Sequence, residues 1–410
     1  MVTERDNNLV FEGTATGDVS AEVASNGDMT FSRGGVAATQ GTINVDDVDA
    51  APEAVLLSNN ITGMALSDAA RLVDITNFSA NGRTIALSDS GVVSASDLVK
   101  VFGEFASVDV STVTGLTGSA VDLNATYAST KVTGLGNESV TITGADPSVL
   151  QLNAIAGATT GIVTASIGGT AAALNSGLGN LAGTDAITIT VNAGVAAATD
   201  LTGLDAKTSV AVVATAVTGL TGSAAEIAAV IAAHNATPST ITLDGDYTVT
   251  ITGDVAATVD QLVAINNDTS GTITLNSATN SENWNDTAAN LLAAFDGITS
   301  LTGTVAVTGA DPSVLQLNAI AGATSGIVTA SIGGTAAALN SGLGNLAGTD
   351  AITITVNAGV AAATDLTGLD AKTSVAVNAR DVTTIEGTAV DVLQILGAAG
   401  ITNPVTFTVK

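Results

Sequence analysis

The residues best suited to chemistry are few. His234, in Ala232-Ala-His-Asn235, is the sole histidine and falls where a helix should end. There an imidazole could serve as a general base, or sit as a favourably placed cation beside the negative end of the helix dipole. No nucleophile pattern accompanies it, so a Ser-His-Asp site is not expected. Residue types alone permit a two-carboxylate hydrolase. Sugar sites, however, use aromatic platforms, and Trp284, Tyr127 and Tyr247 are the only Trp and Tyr residues. Trp284, in Asn283-Trp-Asn-Asp286, is expected to pack over an insert. Gly177-Leu-Gly-Asn-Leu-Ala-Gly183 misses the dinucleotide spacing by one residue and occurs twice, so it reads as a turn within a repeat. No enzyme and no organic cofactor are expected.

Asp46, Asp47 and Asp49 form the densest acidic cluster and are the weak candidates for calcium. Neither the EF-hand nor the nonapeptide Gly/Asp spacing is present. Cysteine is absent, which removes disulfides, thiolate zinc sites and a Cys nucleophile. The most regular surface feature is a set of threonines alternating with aliphatics: Thr141, Thr143, Thr188, Thr190, Thr248, Thr250 and Thr252. β-propensity on a solvated face explains them blandly. The sharper readings are a hydroxyl array for ice or glycan, or a face for lateral association with another chain.

The 410 residues carry 38 acidic against 10 basic side chains, a net charge of −28. Binding to nucleic-acid phosphates or anionic membranes is therefore not expected. The acidity reads first as solubility, with self-repulsion screened in a salty medium. From Pro147 to Thr184 no residue is charged, but the stretch is rich in Gly, Thr, Asn and Ser and contains strand-like Ile162–Ile167, so no membrane span is expected. The first residues show neither a basic n-region nor an apolar h-region, and no cleavable signal peptide is expected. Aromatics make up 2% of the chain, so the core must be built from Ala, Val, Ile and Leu.

These features belong to a chain made by repetition. The 70 residues 143–212 recur as 308–377 with one change, Thr160 to Ser325. A shorter period of about 22–25 residues underlies this duplication: an alternating Thr/aliphatic strand, a Gly/Asp/Ser turn and an Ala-rich amphipathic segment. Val140–Thr143, Ala186–Val191 and Val249–Thr252 are such strands, the second leading through Gly194 straight into its helical segment. Asp146 and Asp311, each before a proline, are expected N-caps, as are Asp254 and Asp286. Ser223-Ala-Ala-Glu226 is an expected capping box. The fold expected is an α/β repeat solenoid over residues 55–410, one long parallel sheet with helices on one side. Its strands should turn Val140 and Ile142 toward the helices and Thr141 and Thr143 outward. Residues 1–54, with short β-like runs such as Leu9–Phe11 and Met29–Phe31, read as a small β-rich attachment head.

The units Thr143-Gly-Ala-Asp-Pro-Ser-Val-Leu, Leu220-Thr-Gly-Ser-Ala-Ala-Glu-Ile and Ile251-Thr-Gly-Asp-Val-Ala-Ala-Thr-Val resemble the Ala/Thr/Gly-rich repeats of bacterial S-layer proteins and secreted adhesins. They are also similar to repeats in virion appendage proteins of marine phages. The resemblance is one of composition and period, spans roughly residues 60–400, and transfers no functional residue. It implies a non-enzymatic structural protein whose partners are copies of itself and other structural proteins of a particle or surface. The lack of calcium-binding nonapeptides and of a visible signal peptide favours a virion fibre, horn or spike. A cell-surface layer, filament or adhesin is the alternative, and an ice- or glycan-binding module the third.

Overall fold

The computed structural model describes residues 60–74, 78–404 and 406–410, together with the backbone of six strands lying between residues 2 and 57. The chain forms two compact units, residues 1–192 with 203–213, and residues 193–202 with 214–410. In both, strands and helices alternate and the strands stack in parallel, as an α/β repeat requires.

In the first unit the strands Val92–Ser94, Gly115–Gly118, Ser139–Ile142, Val163–Gly169, Ala186–Val191 and Val212–Val213 lie side by side in chain order. The register repeats once per coil: Gly115 lies opposite Ser139, Val140 opposite Val163, and Thr164 opposite Ala186. A second parallel sheet joins Ile61–Met64, Thr84–Leu87, Ser107–Asp109 and Val132–Thr133. The second unit stacks Trp284–Thr287, Val305–Thr308, Val328–Gly334, Ala351–Val356, Val377–Asn378 and Ile401–Thr402 in the same way. Beside these it has sheets through Gly194–Ala197, Val217–Gly222, Thr248–Ile251 and Ile273–Thr274, and through Gly359–Ala362, Val382–Glu386 and Thr408–Val409. Antiparallel pairing among the described strands is confined to Val2–Arg5 with Asn8–Phe11, and to Val19–Val23, Met29–Arg33 and Val36–Ala37.

The single long sheet expected from the sequence is thus replaced by several. Many coils carry two short strands before their helix. Gly194 does not lead into the helix but opens a second strand, Gly194–Ala197, and the helix Ala198–Asp205 follows. The corner needs glycine: Gly194 has φ +138° and its copy Gly359 has φ +134°, where an L side chain is strained.

The core follows from strand alternation. In Val163–Gly169, Val163, Ala165 and Ile167 are buried while Thr164, Ser166 and Gly168 are exposed. Inward aliphatics meet helix residues such as Leu152, Ile155 and Leu174, all fully buried. A parallel sheet usually has both faces covered and reads as a continuous apolar run. Here one face is open, and Thr and Ser occupy it.

Helix starts differ from expectation in position. Helix Val149–Ala158 is capped by Ser148, whose hydroxyl accepts the Gln151 N–H at 3.3 Å while the Gln151 side chain accepts the Ser148 N–H at 3.0 Å. Ser313 and Gln316 repeat this box ahead of Val314–Ala323. Asp146 and Asp311 therefore stand two residues before the cap, and Pro147 and Pro312 are buried just ahead of it rather than inside the helix. A reciprocal pair satisfies two backbone donors where a lone Asp would satisfy one, so the box sets the boundary. Likewise Thr258 and Thr287, not Asp254 and Asp286, cap Val259–Asp268 and Ala288–Ala294. The Ser223/Glu226 box forms as the sequence indicates. Ser148→Ala should cost about 1 kcal/mol of stability while Asp146→Ala is close to neutral, as read from urea unfolding.

Coils are tied together by a recurring Thr-Ser/Thr-Gly clamp. The Thr159 hydroxyl donates to the Glu138 carbonyl one coil earlier at 2.7 Å and accepts the Gly161 N–H at 3.0 Å. Thr324 does the same with the Gly303 carbonyl and the Gly326 N–H, at 2.8 and 2.9 Å. Thr269-Ser-Gly271 closes in the same way on the Tyr247 carbonyl. The middle residue also reaches back, Thr160 to the Gly136 carbonyl and Ser325 to that of Leu301. The single difference between the two copies thus keeps the hydroxyl that the clamp uses.

Candidate interaction face

The structure divides the seven expected threonines between two sheets. Thr141, Thr143, Thr188 and Thr190 belong to the first unit and are exposed. Thr141 lies between Thr117 and Thr164 on neighbouring strands, Thr188 opposite Ser166, and Thr190 opposite Gly168. Hydroxyls therefore run in files across consecutive rungs, about 4.8 Å apart. Thr248 and Thr250 lie on a sheet of the second unit and Thr252 just past the end of their strand, with Thr250 half-buried between Thr221 and Thr274. Two hydroxyls of that sheet are already used: Thr221 donates to the Ala196 carbonyl at 3.5 Å and Thr248 to that of Thr218 at 3.2 Å.

Sequence reasoning passed over Thr164 and Ser166, which complete the first face. Their signal was the alternation Val163-Thr-Ala-Ser-Ile167, strand-like but with small residues on both sides. The duplicate repeats the arrangement, with Thr329 and Ser331 exposed, Ala306 opposite Thr329, and Ser331 opposite Thr353.

Several buried polar groups are occupied in stacking. Asp185, 4% exposed, accepts the N–H groups of Val163 and Ala182, both at 2.8 Å. Asp350 accepts those of Val328 and Ala347 at the same distances. Thr208 accepts the Ile187 N–H at 3.1 Å and donates to the Ile187 carbonyl at 2.8 Å, and Thr373 treats Ile352 alike. The loop after Gly177 is a clamp as well: Asn180 binds the preceding coil through the side chain and carbonyl of Asn153, at 2.7 and 2.9 Å. His234 ends helix Ala224–His234, and its Nδ1 accepts the Leu243 N–H at 3.2 Å. Trp284 is 3% exposed and meets Phe295 edge-on at 5.5 Å. Among the described residues no group of three or more His, Asp or Glu is placed to hold a metal ion. Asp46, Asp47 and Asp49 lie outside the described residues. No helix among the described residues is long and apolar enough to cross a membrane.

Two tyrosines donate to carboxylates, Tyr127 to Glu138 and Tyr247 to Asp268. Burial first, and the hydrogen bond second, push both hydroxyls well above their ordinary value of 10.0. A raised folded-state value means the stabilisation is whole below the unfolded-state value and is lost as pH climbs above it. Stability should therefore fall above about pH 10. Tyr127→Phe and Tyr247→Phe should each cost about 1 kcal/mol at neutral pH and flatten the alkaline loss, followed by melting temperature against pH.

No protein-family model matches this sequence, and no curated protein is significantly similar to it.

Proposed function

We propose that this chain is a non-enzymatic structural protein, a subunit of a phage virion appendage such as a fibre, horn or spike. The observation that carries this reading is the use made of the buried and half-buried polar side chains. Asp185, Thr159 and Thr208 hold one coil to the next, and Asp350, Thr324 and Thr373 repeat them. Polar groups spent in this way build length and stiffness in a repeat array, whose stability is a sum of coil and neighbour terms. The resemblance of the units to virion appendage and bacterial surface repeats supports the same role. The net charge of −28 supports a particle exterior, where it favours dispersal. Immunogold labelling of purified phage particles and of host envelopes tests the reading. Label on the appendages supports it; label on the cell envelope alone assigns the chain to a surface layer or adhesin.

A further inference from the structure

One face differs from the rest of the chain in charge. The chain holds 38 acidic residues, yet Pro147–Thr184 has no charge, and the outward positions of Val163–Gly169 and its neighbours are hydroxyl or small residues. The hydroxyls of Thr112 and Thr159, by contrast, are engaged with carbonyls of adjacent coils. Within the described residues no hydrogen bond engages the hydroxyls of Thr141, Thr164, Ser166, Thr188 or Thr190. Beside them Ile162, in register with the same outward positions, is 51% exposed, and its copy Ile327 is 45% exposed. The face thus combines free hydroxyls, an exposed branched aliphatic and no charge.

Resting on the structural reading above, we propose that this face docks a second copy of the chain, sheet against sheet. Charge selects the occupant. Two chains of −28 repel wherever carboxylates meet, and an uncharged face lets them approach at low cost. Ile162 and Ile327 provide apolar area that a protein partner buries. Thr and Ile are stiff at χ1, so little side-chain freedom is lost on docking. No aromatic ring stands on the outward positions to serve as a sugar platform. The part of the face within 143–212 recurs in 308–377, with Ala306 standing where the first copy has Thr141.

Sedimentation velocity over a concentration series of the full chain, at about 0.15 M salt, tests the proposal. The wild-type chain should associate. Thr164→Glu with Thr329→Glu, and separately Thr164→Lys with Thr329→Lys, should shift the association midpoint by at least about tenfold. An equal mixture of the Glu and Lys variants should restore it. Both sites are exposed, and circular-dichroism melts matching wild type establish that the variants are folded. A wild-type chain monomeric throughout, a variant that associates as wild type does, or a mixture that stays apart overturns the proposal. So does a monomer that slows ice growth or binds insoluble polysaccharide through these threonines. Appendage labelling combined with unchanged assembly of the variants removes this face alone; label absent from particles removes the structural reading itself.

Discussion

Asp185→Ala is expected to destabilise the first unit by about 3 kcal/mol, because one buried and one part-buried backbone N–H lose their acceptor at once. The Asp185 carboxylate spans the Val163 and Ala182 amides at 2.8 Å each, joining a strand to the loop one coil later. Water cannot replace it without opening the stack, since the side chain is 4% exposed. The duplication supplies an internal replicate. Asp350 makes the same two bonds and is 5% exposed, so Asp350→Ala should cost the same amount in the second unit. Asp185→Asn keeps the shape but turns one acceptor into a donor, and should recover only part of the loss. Hydrogen exchange resolved by residue, alongside urea unfolding, checks this. Protection should fall around Val163 in one variant and around Val328 in the other. Equal protection at both places in both variants would refute local stacking as the role of the carboxylate.

Much of this architecture was legible because its rules are local. Alternation of Thr with Ile or Val marks the strand and also its buried side, as at Ile187, Thr188 and Ile189. Ser223-x-x-Glu226 marks a helix start by the same bonds that form it. What was missed depends on partners one coil away. Gly194–Ala197 reads locally as the entry to a helix, and only pairing with Val217–Gly222 makes it a strand. Thr248-Val-Thr250 and Thr188-Ile-Thr190 have one local pattern yet sit on different sheets, because sheet membership is decided by which coils pair. Asp146-Pro-Ser148 offers two helix starts in three residues, and the Gln151 amide selects the serine. Ile162–Ile167 reads as a strand, but that Thr164 and Ser166 share a face with Thr141 and Thr188 is decided by pairing one coil away.

Gly326→Ala should cost about 3 kcal/mol, at the upper end of what one added methyl does in a packed interior. A Cβ there would lie 2.1 Å from the Gly303 carbonyl oxygen and 2.5 Å from its carbon. Both are backbone atoms held by the Thr324 clamp, so no flexible side chain can yield. Relief requires the two coils to separate, which breaks the Thr324 and Ser325 hydrogen bonds as well. Gly161 is the same position in the first copy, with a Cβ 2.2 Å from the Glu138 oxygen, and Gly161→Ala should cost a similar amount. Gly91 is the control: nothing lies within 4 Å of its Cβ direction, and Gly91→Ala should be neutral or slightly stabilising through the unfolded chain. Urea midpoints of the three variants decide the matter. If Gly326→Ala and Gly91→Ala unfold together, the Thr-Ser/Thr-Gly motif is ordinary turn composition. If they separate as expected, glycine in this motif sets the spacing at which one coil rests on the next.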